Sequence, residues 1–282
     1  MNRSTMKSNR KSSTAFTLTE LLVVLGVLGF LVLTVLPAIA RTQPNVKTAQ
    51  CQNNLRQLTG AWRMYAEDNL KKTINNLGVA ETIGGLNNNW VNNVMSWTAD
   101  PKITNAALLK VGPLAAYLRE VTHVYKCPAD NYLSPAQRAA GFTERTRSFA
   151  MNGFFGPFTP NSNDAWASGR NMFFPSHRQW LKVTEVRKPD SFFVILEEHP
   201  DSINEGLFLN NPVTMPSQWG DFPGSFHNGA VSLSFADGHA EVHQWKSLTT
   251  TLPVRFTHSA RTLDAAGRDD YQWLMNRMAV LY

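Results

Sequence analysis

The sequence predicts an α+β chain in which a long N-terminal helix packs on a mainly antiparallel β-sheet head. Three observations predict it. Leu21 to Ala40 carries no ionisable residue and leads into apolar residues at helical spacing. Ser191 to Glu197 is a near-continuous apolar run of the kind a central strand shows. Ala230 to Trp245 reads as two alternating segments around Asp237-Gly238, the preferred pair for a two-residue hairpin turn.

The first segment, Met1 to Ala15, carries Arg3, Lys7, Arg10 and Lys11 and no acid. With the uncharged run behind it, this predicts a single membrane-spanning helix whose basic flank stays cytoplasmic. Twenty residues at about 1.5 Å each cover roughly 30 Å, the thickness of the hydrocarbon core. The chain after Arg41 is then expected on the far side of the inner membrane. Glu20 is the odd residue, a carboxylate at the edge of the apolar run whose burial costs several kcal/mol unless a cation meets it. A free α-amine on Phe16 would be such a cation.

The stretch Ala15-Phe16-Thr17-Leu18-Thr19-Glu20, between that leader and that run, resembles the type IV prepilin family, which includes the pseudopilins of type II secretion systems. The resemblance implies that a prepilin peptidase cuts between Ala15 and Phe16 and N-methylates Phe16. It also implies that Glu20 is the assembly carboxylate, meeting the terminal amine of a neighbouring pilin-like subunit in a homo- or hetero-filament. Pro37 sits where that family commonly has a helix-kinking proline. The family usually has Gly at the position of Ala15 and a branched apolar residue at that of Thr19.

The resulting organisation is a leader over 1–15, a membrane and filament-core segment over 16–40, an amphipathic continuation over 41–69 and a globular head over 70–282. A rival reading takes Ala38-Ile39-Ala40 as an A-x-A signal-peptidase site, which would release a soluble exported protein at Ala40. Against it, a secretory apolar region runs about 7–15 residues, shorter than this one, and the rival gives Glu20 no role.

The chain has 282 residues, enough after the N-terminal helix for one well-buried core. Its formal charge of +6 reflects the leader: without those four cations, 23 of the 27 Lys and Arg remain against 21 Asp and Glu. No Lys/Arg stripe interleaved with aromatics is present, so no nucleic-acid partner is expected.

Asn45 to Asp68 reads as the continuing helix, with Cys51, Leu55, Leu58, Trp62 and Tyr65 on one stripe that packs the head. Cys51 and Cys127 are the only cysteines. A disulfide between them would close a loop of about 75 residues, worth roughly 4 kcal/mol in the chain-entropy model. Two buried free thiols are the alternative, and the sequence leaves both open.

Asn69 to Asp100, rich in Asn and Gly, reads as irregular surface structure. Pro113 to Glu120 predicts a short helix and Val121 to Lys126 an extended segment, while Arg147 to Phe155 predicts a strand alongside Ser191 to Glu197. The remainder reads as turns and short strands. In the hairpin, a two-residue turn pairs Phe235 with Ala240, Leu233 with Val242 and Val231 with Gln244. That register leaves Ser232 and Ser234 opposite His243 and Glu241.

His227, nine intervening residues and Asp237-Gly238 are similar to the His-x9-Asp-Gly C-terminal domain of a large group of prepilin-like proteins. Asn53 to Leu58 with Tyr65, Cys127-Pro128-Ala129-Asp130, Ser148 to Asn152 and Trp273-Leu274 match the same group. No cofactor is expected. A structural metal ion is the open case, with His239, Glu241 and His243 as candidates because they project from one strand face. Glu197-Glu198-His199 is a second candidate cluster, read as a solvated strand end.

The chain has no Walker loop, H-E-x-x-H, C-x-x-C or G-x-S-x-G, so it is not expected to be an enzyme. Eight tryptophans raise a competing class, an exported carbohydrate-binding protein or hydrolase. Several Trp rings exposed on one flat surface would favour it, and burial in the core would not.

Overall fold

The computed structural model describes residues 17–84, 88–158 and 168–282, with the side chains of 32–45 left outside that description. Ala15 and Phe16, the expected processing positions, lie outside the described residues. The chain divides into two compact units, Met1–Asn45 and Val46–Tyr282.

In the first unit the described residues belong to the start of helix α1, Leu18–Asp68. Thr17 and Glu20 form a capping box that fixes this start. The Thr17 N–H and hydroxyl donate to Glu20 Oε2 at 2.9 and 2.8 Å, and the Glu20 N–H donates back to Thr17 Oγ1 at 3.3 Å. Every large apolar side chain from Leu18 to Leu31 is exposed, from 45 % at Val24 to 76 % at Leu18. Among the described residues no helix is long and apolar enough to cross a membrane, and the run read as membrane-spanning extends into 32–45.

In the second unit the apolar stripe of α1 is the spine of the head. Cys51, Leu55, Leu58 and Trp62 are fully buried and Tyr65 packs at the edge of the same core. The helix stops where Leu70 and Lys71 turn left-handed, at φ 57° and 65°. There the Asn69 side chain donates to the Tyr65 carbonyl at 2.8 Å, satisfying an acceptor the helix leaves open.

The sheet has five strands: β1 Phe149–Asn152, β2 Phe193–Glu197, β3 Leu207–Phe208, β4 Ala230–Phe235 and β5 Ala240–Gln244. Their spatial order is β3-β1-β2-β4-β5, antiparallel except for the β1–β3 pair. The α+β class with a mainly antiparallel sheet is therefore present; the strands read over 147–155 and 191–197 are β1 and β2, and β2, expected to be central, is the middle strand. Both faces of β4 are covered. Thr59 of α1 meets Ser234 at 2.6 Å on one face, and the other lies toward α5, Ala265–Met278, where His243 stacks on Trp273.

The β4–β5 register differs by one residue from the expected one. Ser234 pairs with Ala240, Leu233 with Glu241, Ser232 with Val242 and Val231 with His243. The loop has three residues, not two. Phe235 N–H donates to the His239 carbonyl at 2.9 Å, and Gly238, at φ +100°, donates to the Phe235 carbonyl at 2.8 Å. Such a turn with a left-handed glycine bulge adds one residue and shifts every pair. Ser234 tolerates the core-facing side because its hydroxyl meets Thr59 of α1 and the Ile195 carbonyl, whereas the buried Ser232 hydroxyl has no partner among the described residues.

Three further expectations are corrected. Pro113–Glu120 winds through linked turns ended by Arg119 and Glu120 at positive φ, so no regular helix forms. His123–Tyr125 is a 3-10 turn where an extended segment was expected. The Asn-rich segment after α1 is irregular yet buries Ile74, Leu77, Trp90 and Val91 completely. Asparagine side chains stand in for a ladder there: Asn89 Oδ1 accepts from the Leu77 and Trp90 N–H groups at 3.0 and 2.9 Å. Asn76 Nδ2 donates to the Met151 and Asn152 carbonyls. Four helices went unread: α2 over Val79–Ile83, inside that segment, α3 over Ala107–Lys110, α4 over Pro135–Ala139, with a Ser134–Gln137 capping box, and α5.

Candidate functional site

Four chain segments converge on one buried point between α1 and the sheet. Cys51 comes from α1, Cys127 from the loop after the 3-10 turn, Glu197 from the end of β2 and His227 from the approach to β4. Their donor atoms all lie within 4.8 Å of one another, and this is the one such group of His, Cys, Asp and Glu among the described residues. Cys51 Sγ donates to Glu197 Oε1 at 2.9 Å, His227 Nε2 lies 2.9 Å from the same oxygen, and Cys127 Sγ is 3.6 Å from His227 Nε2.

The surroundings hold each group in place. Ser232 N–H donates to the other Glu197 oxygen at 2.6 Å, and Thr48 Oγ1 lies 3.0 Å from His227 Nδ1, which leaves Nε2 to face the sulfurs. Ala129 N–H donates to Cys127 Sγ at 3.3 Å. Burial pushes the Cys51 thiol well up, helped by Cys127 and the Glu197 carboxylate beside it. Burial alone would lower the His227 imidazole, but its hydrogen bonds with Cys127 and Glu197 and their charges raise it to about 10.

The two cysteines are free thiols in this structure. The sequence placed both near the core; their adjacency, and the acid and imidazole that join them, are structural findings. Glu197-Glu198-His199 is not a solvated strand end, since all three are at most 1 % exposed. The antiparallel neighbours of β2 and the covering segments close over them. Glu198 accepts from Ser202 at 2.8 Å, and His199 Nε2 meets the Leu252 carbonyl at 2.8 Å. Beside them, buried Arg147 donates to the carbonyls of Phe149, Asn204 and Glu205, and burial brings it down to about 10.

The strand-face candidates do not gather. His239 bonds Asp237 at 2.7 Å and stacks on Phe235, Glu241 lies opposite Leu233, and His243 is taken up by Trp273. Asp237 and Gly238 build the turn, and Arg63 of α1 donates to the Asp237 carbonyl. Of the described tryptophans, Trp62, Trp90, Trp180, Trp219 and Trp245 are buried. Trp97 and Trp273 are half-buried under Arg145 and Arg277. No flat exposed aromatic platform exists among the described residues.

Sequence reasoning missed Glu197 as the partner of His227. The available signal was an acid closing an otherwise apolar strand, a position that burial makes costly without a partner. Comparison with protein-family models, curated proteins and solved structures returns no match for this chain.

Proposed function

We propose that this chain is a pseudopilin- or type IV pilin-like structural subunit, processed and N-methylated by a prepilin peptidase and assembled into an extracytoplasmic filament of a secretion or pilus system. The observation that carries the reading is the first part of α1. From Leu18 to Leu31 its apolar side chains are exposed on all sides, and the one ionisable residue among them is Glu20. Such a sleeve needs lipid or neighbouring apolar helices around it. A helix held first in the inner membrane and later among like helices in a filament core supplies both in turn.

The capping box adds to the reading. It holds the Glu20 carboxylate at the first turn of α1, three residues after Thr17, where the assembly role asks for an acid close to the expected new terminus. Among the described residues the tryptophans are buried or half-buried, which gives the carbohydrate-binding alternative no support there.

The role of Glu20 is tested by Glu20→Ala. Membrane insertion should persist while recovery in sheared filaments falls sharply; Glu20→Gln, which keeps the capping acceptor but not the charge, should fail in the same way. Filament recovery at parental levels for both variants would remove the assembly role.

A further inference from the structure

We propose that Cys51, Cys127, Glu197 and His227 are a structural zinc site that staples α1 to the head. The inference concerns the head alone and does not rest on the filament reading.

The donor set is the first argument. Two sulfurs, one imidazole nitrogen and one carboxylate oxygen suit a tetrahedral, borderline-soft ion, whereas Mg2+ and Ca2+ take oxygen shells. Geometry is the second. Tetrahedral zinc bonds of about 2.0–2.3 Å space neighbouring ligand atoms by about 3.3–3.8 Å. The contacts here are 2.9, 2.9 and 3.6 Å, with no pair beyond 4.8 Å. Side-chain adjustments of about 1 Å bring all four to zinc distances.

The outer contacts are the third argument. A zinc-bound histidine typically has its other ring nitrogen fixed by an oxygen, and its ligating carboxylate is hydrogen-bonded in turn. Thr48 Oγ1 stands at His227 Nδ1 and Ser232 N–H at the distal oxygen of Glu197, so both supports are already built. Burial completes the case: all four residues are at most 8 % exposed and come from segments far apart in sequence, the arrangement in which metal binding adds most to folding. On binding, the protons of both thiols and of His227 Nε2 leave to solvent, two thiolates and Glu197 offset the ion's charge, and no redox partner is involved.

The same assignment keeps the two neighbouring sulfurs from pairing as a disulfide. Zinc coordination occupies the lone pairs that oxidation would attack.

The test uses the untagged full chain, purified from its native source without chelator, whichever fraction carries it. The expected results are about one zinc per chain by elemental mass spectrometry, both cysteines reduced by intact mass, and, after exchange with Co2+, an intense thiolate-to-cobalt charge-transfer band. Thr48→Ala removes only the outer support and should weaken Zn2+ affinity by about 10- to 100-fold with the fold retained. Cys127→Ser should abolish the cobalt band. A native Cys51–Cys127 disulfide would overturn the assignment. So would two free thiols without stoichiometric zinc, or a cobalt complex that lacks the sulfur band or ignores Thr48→Ala.

Discussion

His227 and Asp237 stand at opposite ends of β4, and each ties its end to α1. His227 Nδ1 meets Thr48 Oγ1 at 3.0 Å, and the Asp237 carbonyl accepts from Arg63. The nine residues between them are one strand and its approaches, so the spacing records the length of a strand pinned at both ends against a helix. The two ends differ in burial, which makes their energetics separable.

His227→Ala removes the partner of a carboxylate that has no exposure to water. Breaking a buried pair from one side costs about 3–5 kcal/mol. His239→Ala breaks the His239–Asp237 pair, whose side chains are 41 % and 35 % exposed, and should cost less than about 1 kcal/mol. Urea unfolding followed by tryptophan fluorescence compares them; equal losses would contradict the buried pairing.

The turn register has its own test. Gly238 sits at φ +100°, and a Cβ there would meet the Arg63 guanidinium at 2.9 Å. Gly141, at φ +80°, faces open space. Gly141→Ala should cost about 1–2 kcal/mol from backbone strain alone. Gly238→Ala should cost more, and adding Arg63→Ala should return the excess. Identical costs in thermal unfolding would argue against this turn.

In the irregular segment, Asn89→Leu keeps volume but leaves the buried Leu77 N–H without its acceptor. An orphaned buried donor costs about 1–3 kcal/mol. Hydrogen exchange at Leu77 and Trp90 should accelerate first, and unchanged protection there would show that Asn89 does not organise the segment.

Acid should weaken the head partly through His243. Burial against Trp273, with Arg277 and Lys246 nearby, brings this imidazole down to about 4 from an ordinary value near 6.5. In the folded state it stays neutral where the unfolded chain is already protonated, so its contribution is complete above about 6.5 and is lost as pH falls toward 4. The half-buried ring keeps the effect modest. His243→Phe, which preserves stacking, should flatten stability against pH in that window relative to the parent; parallel curves would contradict the shift.

Periodicity carried the sequence reading furthest. The α1 stripe from Cys51 to Trp62 and the apolar strands around Phe149 and Val194 were legible because each buries a regular face. The hairpin was legible as a hairpin, but its register was not, because Asp-Gly serves both two- and three-residue loops and Arg63 touches the turn from a distant segment. The 70–100 region misled because Asn usually marks solvent, while here Asn76 and Asn89 feed hydrogen bonds to buried backbone. Helix α5 was passed over as its buried residues, among them Leu274 and Met278, are interrupted by charges. The four-residue cluster was invisible for a plainer reason: its members are separated by 30 to 176 positions, and no spacing rule connects them.

The mature N-terminus, read by mass spectrometry on protein recovered from its own membranes, tests the filament reading most directly. A chain beginning at N-methylated Phe16 is the predicted result. A chain beginning at Arg41 would contradict it and make this a released, soluble head.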